Sequence, residues 1–161
     1  MSDNNFSLTV YRRTTGEIES VTQHFCDGEH KALVLENIHN QWGKESYGIV
    51  ESDDDTEIIA ADTLLHYVTT IRGKPTIVGR PNISYEVDKT TIVADGIDYL
   101  TLTDLHDPCE IVIDDPDPTV ETSVHVVTGG GFEFSADTPG LYTIEIRYFP
   151  FLPMTLEITA E

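Results

Sequence analysis

Basic residues are scarce: nine Lys and Arg stand against 29 Asp and Glu in 161 residues, a formal net charge of −20. With no basic stripe to displace counterions from phosphates, most nucleic-acid binding is ruled out and no nucleic-acid partner is expected. Long apolar runs are missing as well, and none approaches the ~18 residues of a membrane-spanning helix. The opening Met1-Ser2-Asp3-Asn4-Asn5-Phe6 carries neither a basic nor an apolar segment, so no signal peptide is expected. Cysteine is limited to Cys26 and Cys109, 83 positions apart, which permits one bridge at most. Without an export signal a reducing site of synthesis is expected, and both are read as small buried hydrophobes. What is present, 39% hydrophobic and 24% charged residues, suffices for a packed core in a soluble acidic chain.

The charge is uneven. Residues 1–85 hold 13 acids and 7 bases, whereas residues 86–161 hold 16 acids and 2 bases. The hydrophobic pattern changes at the same place, where Gly79-Arg80-Pro81-Asn82 has the composition of a linker. Two domains are therefore expected, 1–85 and 86–161, with the boundary in the region of 80–88. In the first, Phe6–Tyr11 and Ile18–Phe25 alternate with period two around Thr15-Gly16, predicting a β-hairpin in which Gly16 takes positive φ. Leu33, Val34 and Ile38 fit a helical face for about two turns. Tyr47–Glu51, Leu64–Ile71 and Thr76–Val78 read as further strands. The first domain is thus a small β-rich (α+β) module.

The second half carries only strand signals: Thr90–Val93, Tyr99–Leu105, Cys109–Ile113, Ser123–Val127, Phe132–Ser135, Leu141–Tyr148 and Thr155–Thr159, separated by turn-rich sequence. Short strands with turns every ~8–12 residues predict a β-sandwich of the Ig-like kind. Pro139-Gly140 carries a type II turn signal and is followed by Tyr142 at the head of a long strand, the arrangement of a tyrosine corner. Two residues on, where antibody domains place a Cys, stands Ile144, so aliphatic packing replaces a disulfide. Gly129-Gly130-Gly131 opens a strand, with no helix or Lys-Ser/Thr after it, and reads as a hairpin turn rather than a phosphate loop.

Signals of chemistry are thin. The six histidines, His24, His30, His39, His66, His106 and His125, show no zinc-hydrolase spacing, and no Gly-x-Ser-x-Gly elbow is present. Glu51, Asp53-Asp54-Asp55 and Glu57 lack the alternation and the glycine of a calcium loop and read as a solvated acidic loop. Asp114, Asp115 and Asp117, with Glu121, alternate in part and are held by Pro116 and Pro118, a weak Ca²⁺ candidate set against a solvent-facing loop. No cofactor and no catalytic residue are expected. Trp42 and the cluster Tyr148-Phe149-Pro150-Phe151 either close a core or serve as interface anchors.

Several motifs fall in a telling order. Val10-Tyr11 leads to Thr15-Gly16-Glu17-Ile18, then Tyr47-Gly48-Ile49-Val50-Glu51 with acids after it, then His66-Tyr67-Val68 ahead of Arg80-Pro81. Ala94-Asp95-Gly96-Ile97-Asp98, Leu105-His106-Asp107-Pro108-Cys109, Gly131–Phe134 and Pro139–Ile144 follow, with Tyr148-Phe149-Pro150 behind them. Through most of its length the chain resembles small tailed-bacteriophage virion proteins, tail-tip or tail-fibre associated, with a C-terminal Ig-like domain. The stretch Asp114–Thr119 and the glycine run make that region longer than the resemblance would have it. The resemblance implies a non-enzymatic structural component of a virion, made in the host cytoplasm, whose partners are other virion proteins and further copies of itself in symmetric arrangement. Host-surface recognition, of glycan or protein, and capsid decoration are the alternatives it leaves open.

Overall fold

The computed structural model of the protein describes residues 4–26, 28–52 and 64–161, with side chains described within 7–22, 30–51 and 64–161. The protein is mostly β, with one helix among the described residues. It divides into two compact units, Met1–Arg80 and Pro81–Glu161.

In the first unit, strands β1 (Asn4–Arg12), β2 (Ile18–Cys26) and β3 (Tyr47–Ser52) form an antiparallel sheet in the order β2-β1-β3. Helix α1 (Gly28–Trp42) lies between β2 and β3 in sequence, and β4 (His66–Ile71) and β5 (Lys74–Gly79) make a separate hairpin. The central strand β1 is buried on both faces from Ser7 to Tyr11. Leu8 lies opposite Glu51 in the ladder, and Glu51 pairs with Lys31 of α1 at 2.8 Å. On the other face Tyr11 and Ile18 pack with Val68 and Ile77 of the hairpin.

The helix is longer than the two turns expected. Its half-buried positions Val34, Leu35, Ile38 and Trp42 continue one stripe at spacings of three and four, and the polar run His39-Asn40-Gln41 conceals that continuation. Gly43, at φ +85°, ends it and donates its N–H to the His39 carbonyl at 3.0 Å. Two other glycines are dictated by close approach. Gly16 takes φ +84° in the β1–β2 turn, where a Cβ would meet the Val68 carbonyl oxygen at 2.1 Å. A Cβ on Gly48 would lie 2.3 Å from the Tyr11 ring, which crosses over it. The Val68 N–H donates to the Gly16 carbonyl at 2.8 Å, tying the β4–β5 hairpin to the first turn.

The second unit is an Ig-like β-sandwich. Strands β6 (Glu86–Val87), β8 (Tyr99–Thr103) and β11 (Phe132–Ser135) form one sheet in the order β11-β8-β6. Strands β7 (Thr91–Ile92), β9 (Cys109–Asp114), β10 (Ser123–Val127), β12 (Gly140–Arg147) and β13 (Met154–Ala160) form the other, in the order β10-β9-β12-β13-β7. The first segment serves both layers: β6 pairs antiparallel with β8, and β7, a few residues on, pairs parallel with β13. Period-two alternation places Leu100 and Leu102 from one layer against Ile111, Ile144, Ile146 and Ile158 from the other, all fully buried. Each such side chain contributes roughly 1.5–3 kcal/mol of burial free energy. The glycine run is not a hairpin turn: β10 and β11 lie in different sheets, so Gly129–Gly131 carries the chain from one layer to the other. Gly129 and Gly130 take φ +84° and +76°, the Gly129 N–H donates to Asp107 Oδ2 at 3.0 Å, and Gly130 accepts from Leu105 N at 3.1 Å.

Candidate interaction site of the sandwich

The corner at the head of β12 fixes one end of the sandwich. Tyr142 is buried, its ring meets Phe134 edge-on at 5.2 Å between centroids, and its hydroxyl donates to the Thr138 carbonyl at 2.9 Å. Burial in the first place, then the negative charges of Asp115 and Asp137, push the Tyr142 phenol above its ordinary value and keep it neutral. Gly140 has no positive φ, so the type II turn is not made; the residue already belongs to β12. It is glycine for another reason, since a Cβ there would lie 2.5 Å from the Pro116 ring. Pro139 stands exposed just before the strand.

The three aspartates singled out as a Ca²⁺ candidate turn their oxygens to their own loop. Asp115 Oδ1 accepts from Asp117 N at 2.8 Å, and Asp117 Oδ1 accepts from Thr119 N at 2.9 Å and Thr119 Oγ1 at 2.7 Å. Asp114 accepts from the Thr122 hydroxyl. The two Thr119 bonds hold the Asp117 carboxyl below the usual carboxylate range. Among the described residues no three His, Cys, Asp or Glu come together as a metal-binding group. The first acidic run is outside this account, because Asp53–Asp55 and Glu57 fall beyond the described residues, as does the side chain of Cys26. Cys109 is buried in the sandwich, where burial first and Asp107 second push its thiol up.

The aromatic residues singled out in the sequence, Trp42, Tyr148, Phe149 and Phe151, form no exposed platform. His106 stacks on Tyr148 at 4.5 Å with ring planes 12° apart and meets Phe151 at 4.3 Å, and Tyr148 and Phe151 pack against the core. Phe149 is half-buried beside them, joined to Pro150 by a cis peptide bond, as Asp107 is to Pro108. Trp42 is half-buried at the end of α1, 5.3 Å from the Tyr47 ring. The histidines do not converge: among the described side chains His106 and His125 touch different aromatic partners, Tyr148 and Phe151 for one and Phe132 for the other.

A feature with the dimensions of a binding site, not foreseen from the sequence, lies among the described residues. A cleft of about 620 Å³ opens where the edge strands β10 and β11 lie beside each other, lined by Ile113, Ser123, His125, Phe132, Phe134 and Tyr142. Acidic residues stand around it: Asp115, Glu121, Glu133 and Asp137, with no Lys or Arg in the lining. His125 and Phe132 approach across it at 5.7 Å, and His125 Nε2 lies 3.2 Å from Ser123 Oγ. Alternation turns Val124 and Val126 to the outer face, where they are 58% and 70% exposed. The sequence signal was faint: a β-branched strand, Ser123–Val127, with no Lys and no Pro in it.

No family model matches the chain. No curated protein matches it either. Among solved structures it is similar to a glycosyl hydrolase family 2 member from Bacteroides cellulosilyticus, at 14% identity and a TM-score of 0.35, over 96% of this chain and 21% of that one. A second such member, from Bacteroides cellulosilyticus DSM 14838, gives 14% identity and a TM-score of 0.33, over 95% of this chain and 23% of that one. The chain thus spans under a quarter of the length of these proteins.

Proposed function

We propose that the protein is a non-enzymatic structural component of a tailed-phage virion, an assembly module at the tail tip or fibre base that joins other virion proteins. One observation carries the reading: the motifs behind the resemblance hold backbone crossings and do not meet around a reaction centre. Gly16 receives the Val68 N–H, Gly48 lies under the Tyr11 ring, and the Arg80 N–H and guanidinium donate to Leu65 O at 2.7 Å and Leu64 O at 3.0 Å. Pro81 O accepts from Leu152 N at 2.8 Å, Asp107 caps the glycine crossing, and Tyr142 locks the corner. Residues of that kind specify a shape for others to bind. The excess of 14 negative charges in residues 86–161 keeps repeated copies apart until a stronger interface forms.

Quantitative mass spectrometry of purified particles of the encoding phage tests this. The chain is expected in the particle at a copy number matching a tail symmetry, and particles made without it are expected to lack tail-tip or fibre components. Its absence from purified particles, with abundance in the lysate, would overturn the reading. Binding of the purified chain to host cells, abolished by EDTA or by Phe151→Ala, would put host recognition in its place.

A further inference from the structure

We infer that the cleft between β10 and β11 is a docking site for an extended segment of a partner protein, one that alternates apolar with basic residues and adds to β10 as a further strand. The inference rests on the assembly reading above and names the chemistry of the partner.

The layout of edges comes first. A sandwich of two open sheets has four edge strands, and here two of them, β6 and β7, are two residues each. Such short edges offer little backbone to a stranger. The other two, β10 with five residues and β11 with four, lie on the same side of the sandwich and border the cleft. Strand β10 pairs only with β9 among the described residues, so every second residue turns its N–H and C=O away from the sheet. Natural edges are usually guarded by Lys, Pro or a bulge. Strand β10 has none of these and instead exposes Val124 and Val126.

The chemistry of the lining selects the occupant. A strand laid along β10 sends alternate side chains into the cleft, over Phe132 and Phe134, where apolar groups fit. The acidic residues around the cleft, Glu121 and Glu133 among them, attract a basic segment, and the aliphatic stems of Lys or Arg at the intervening positions cover Val124 and Val126 on the outer face. A second copy of this acidic chain meets like charge at the rim, which disfavours it as the occupant.

The test uses the full chain and capped peptides of about seven residues, enough to span β10 with one residue over at each end. One peptide alternates valine with lysine and arginine; a second has glutamate at each basic position; a third keeps the bases but has proline at alternate valines, which removes strand hydrogen bonding at unchanged charge. Binding is measured by calorimetry and located by hydrogen exchange. The basic alternating peptide is expected to bind at least about tenfold more tightly than either control. It is expected to slow exchange of the 123–127 amides, and to lose about tenfold in affinity to Glu121→Lys with Glu133→Lys. Equal binding of the proline peptide reduces the effect to charge and overturns the inference; so does equal binding of the acidic peptide, protection elsewhere, or concentration-dependent protection of β10 without peptide, which makes a second copy the occupant. The exchange measurement on the unmutated chain decides the matter even where the charge-reversed variants fold poorly. Presence of the chain in purified particles while the peptide tests fail removes this inference alone; the converse removes the virion reading alone.

Discussion

Replacing Tyr142 with Phe removes one oxygen from the sandwich and nothing else. The ring stays, with its edge contact to Phe134 and its place in the core. The bond lost is the 2.9 Å donation to the Thr138 carbonyl, a neutral hydrogen bond with a net contribution of about 1 kcal/mol. For a unit of this size that corresponds to a melting shift of about 4–8 °C. Tyr142→Ala also removes the ring and is expected to cost about 3–5 kcal/mol. Hydrogen exchange of the segment 140–147 in increasing urea reads the sandwich directly and gives both values. The pH dependence adds a second handle. Because the folded-state phenol is raised above its ordinary value of 10.0, the unfolded chain loses its proton first as pH rises. The stability this group contributes is fully present below pH 10 and is lost as pH climbs through the raised folded value, so the gap between wild type and Tyr142→Phe narrows in alkali. A Phe variant as costly as the Ala variant, or one with no cost, would show that the corner bond does not hold the strand head.

Other consequences follow from the packing. Gly16→Ala is expected to cost about 2 kcal/mol or more, since it strains a positive φ and drives a methyl into the Val68 carbonyl; urea denaturation followed by the single Trp42 measures it. Among the described residues the Thr9 hydroxyl, buried in β1, has no hydrogen-bond partner, so Thr9→Val is expected to stabilise the first unit by about 1 kcal/mol in the same assay. The Asp98 carboxyl is held below its ordinary value of 3.8, chiefly by Lys89 and then by the Val93 N–H. Its contribution is present above that value and is lost as pH falls through the lower folded one, so Asp98→Asn should flatten the acid limb of a pH–melting profile.

Which features were readable from the chain depended on how local they were. The β1–β2 hairpin was legible because Gly16 and two period-two runs settle it within twenty residues. The Tyr142 corner was legible because Tyr and strand head adjoin in sequence, whereas the reason for Gly140 was not: its neighbour is Pro116, on another loop. Gly129–Gly131 had the composition of a tight turn, and only the sheet order shows that it changes layers. Strand β6 was missed because two residues, Glu86 and Val87, carry no period. The cleft was hidden for the same physical reason. Its two walls come from strands in different sheets, and which strands lie at an edge is a property of the assembled order rather than of any segment.

Ile144 has a further consequence. At the position where antibody domains carry a covalent staple, this sandwich has a branched hydrocarbon with no exposed surface, and its lone thiol, Cys109, sits buried and protonated. Reductants therefore find no disulfide to open in this sandwich. It can mature without a disulfide catalyst, and a reducing compartment takes nothing from its fold.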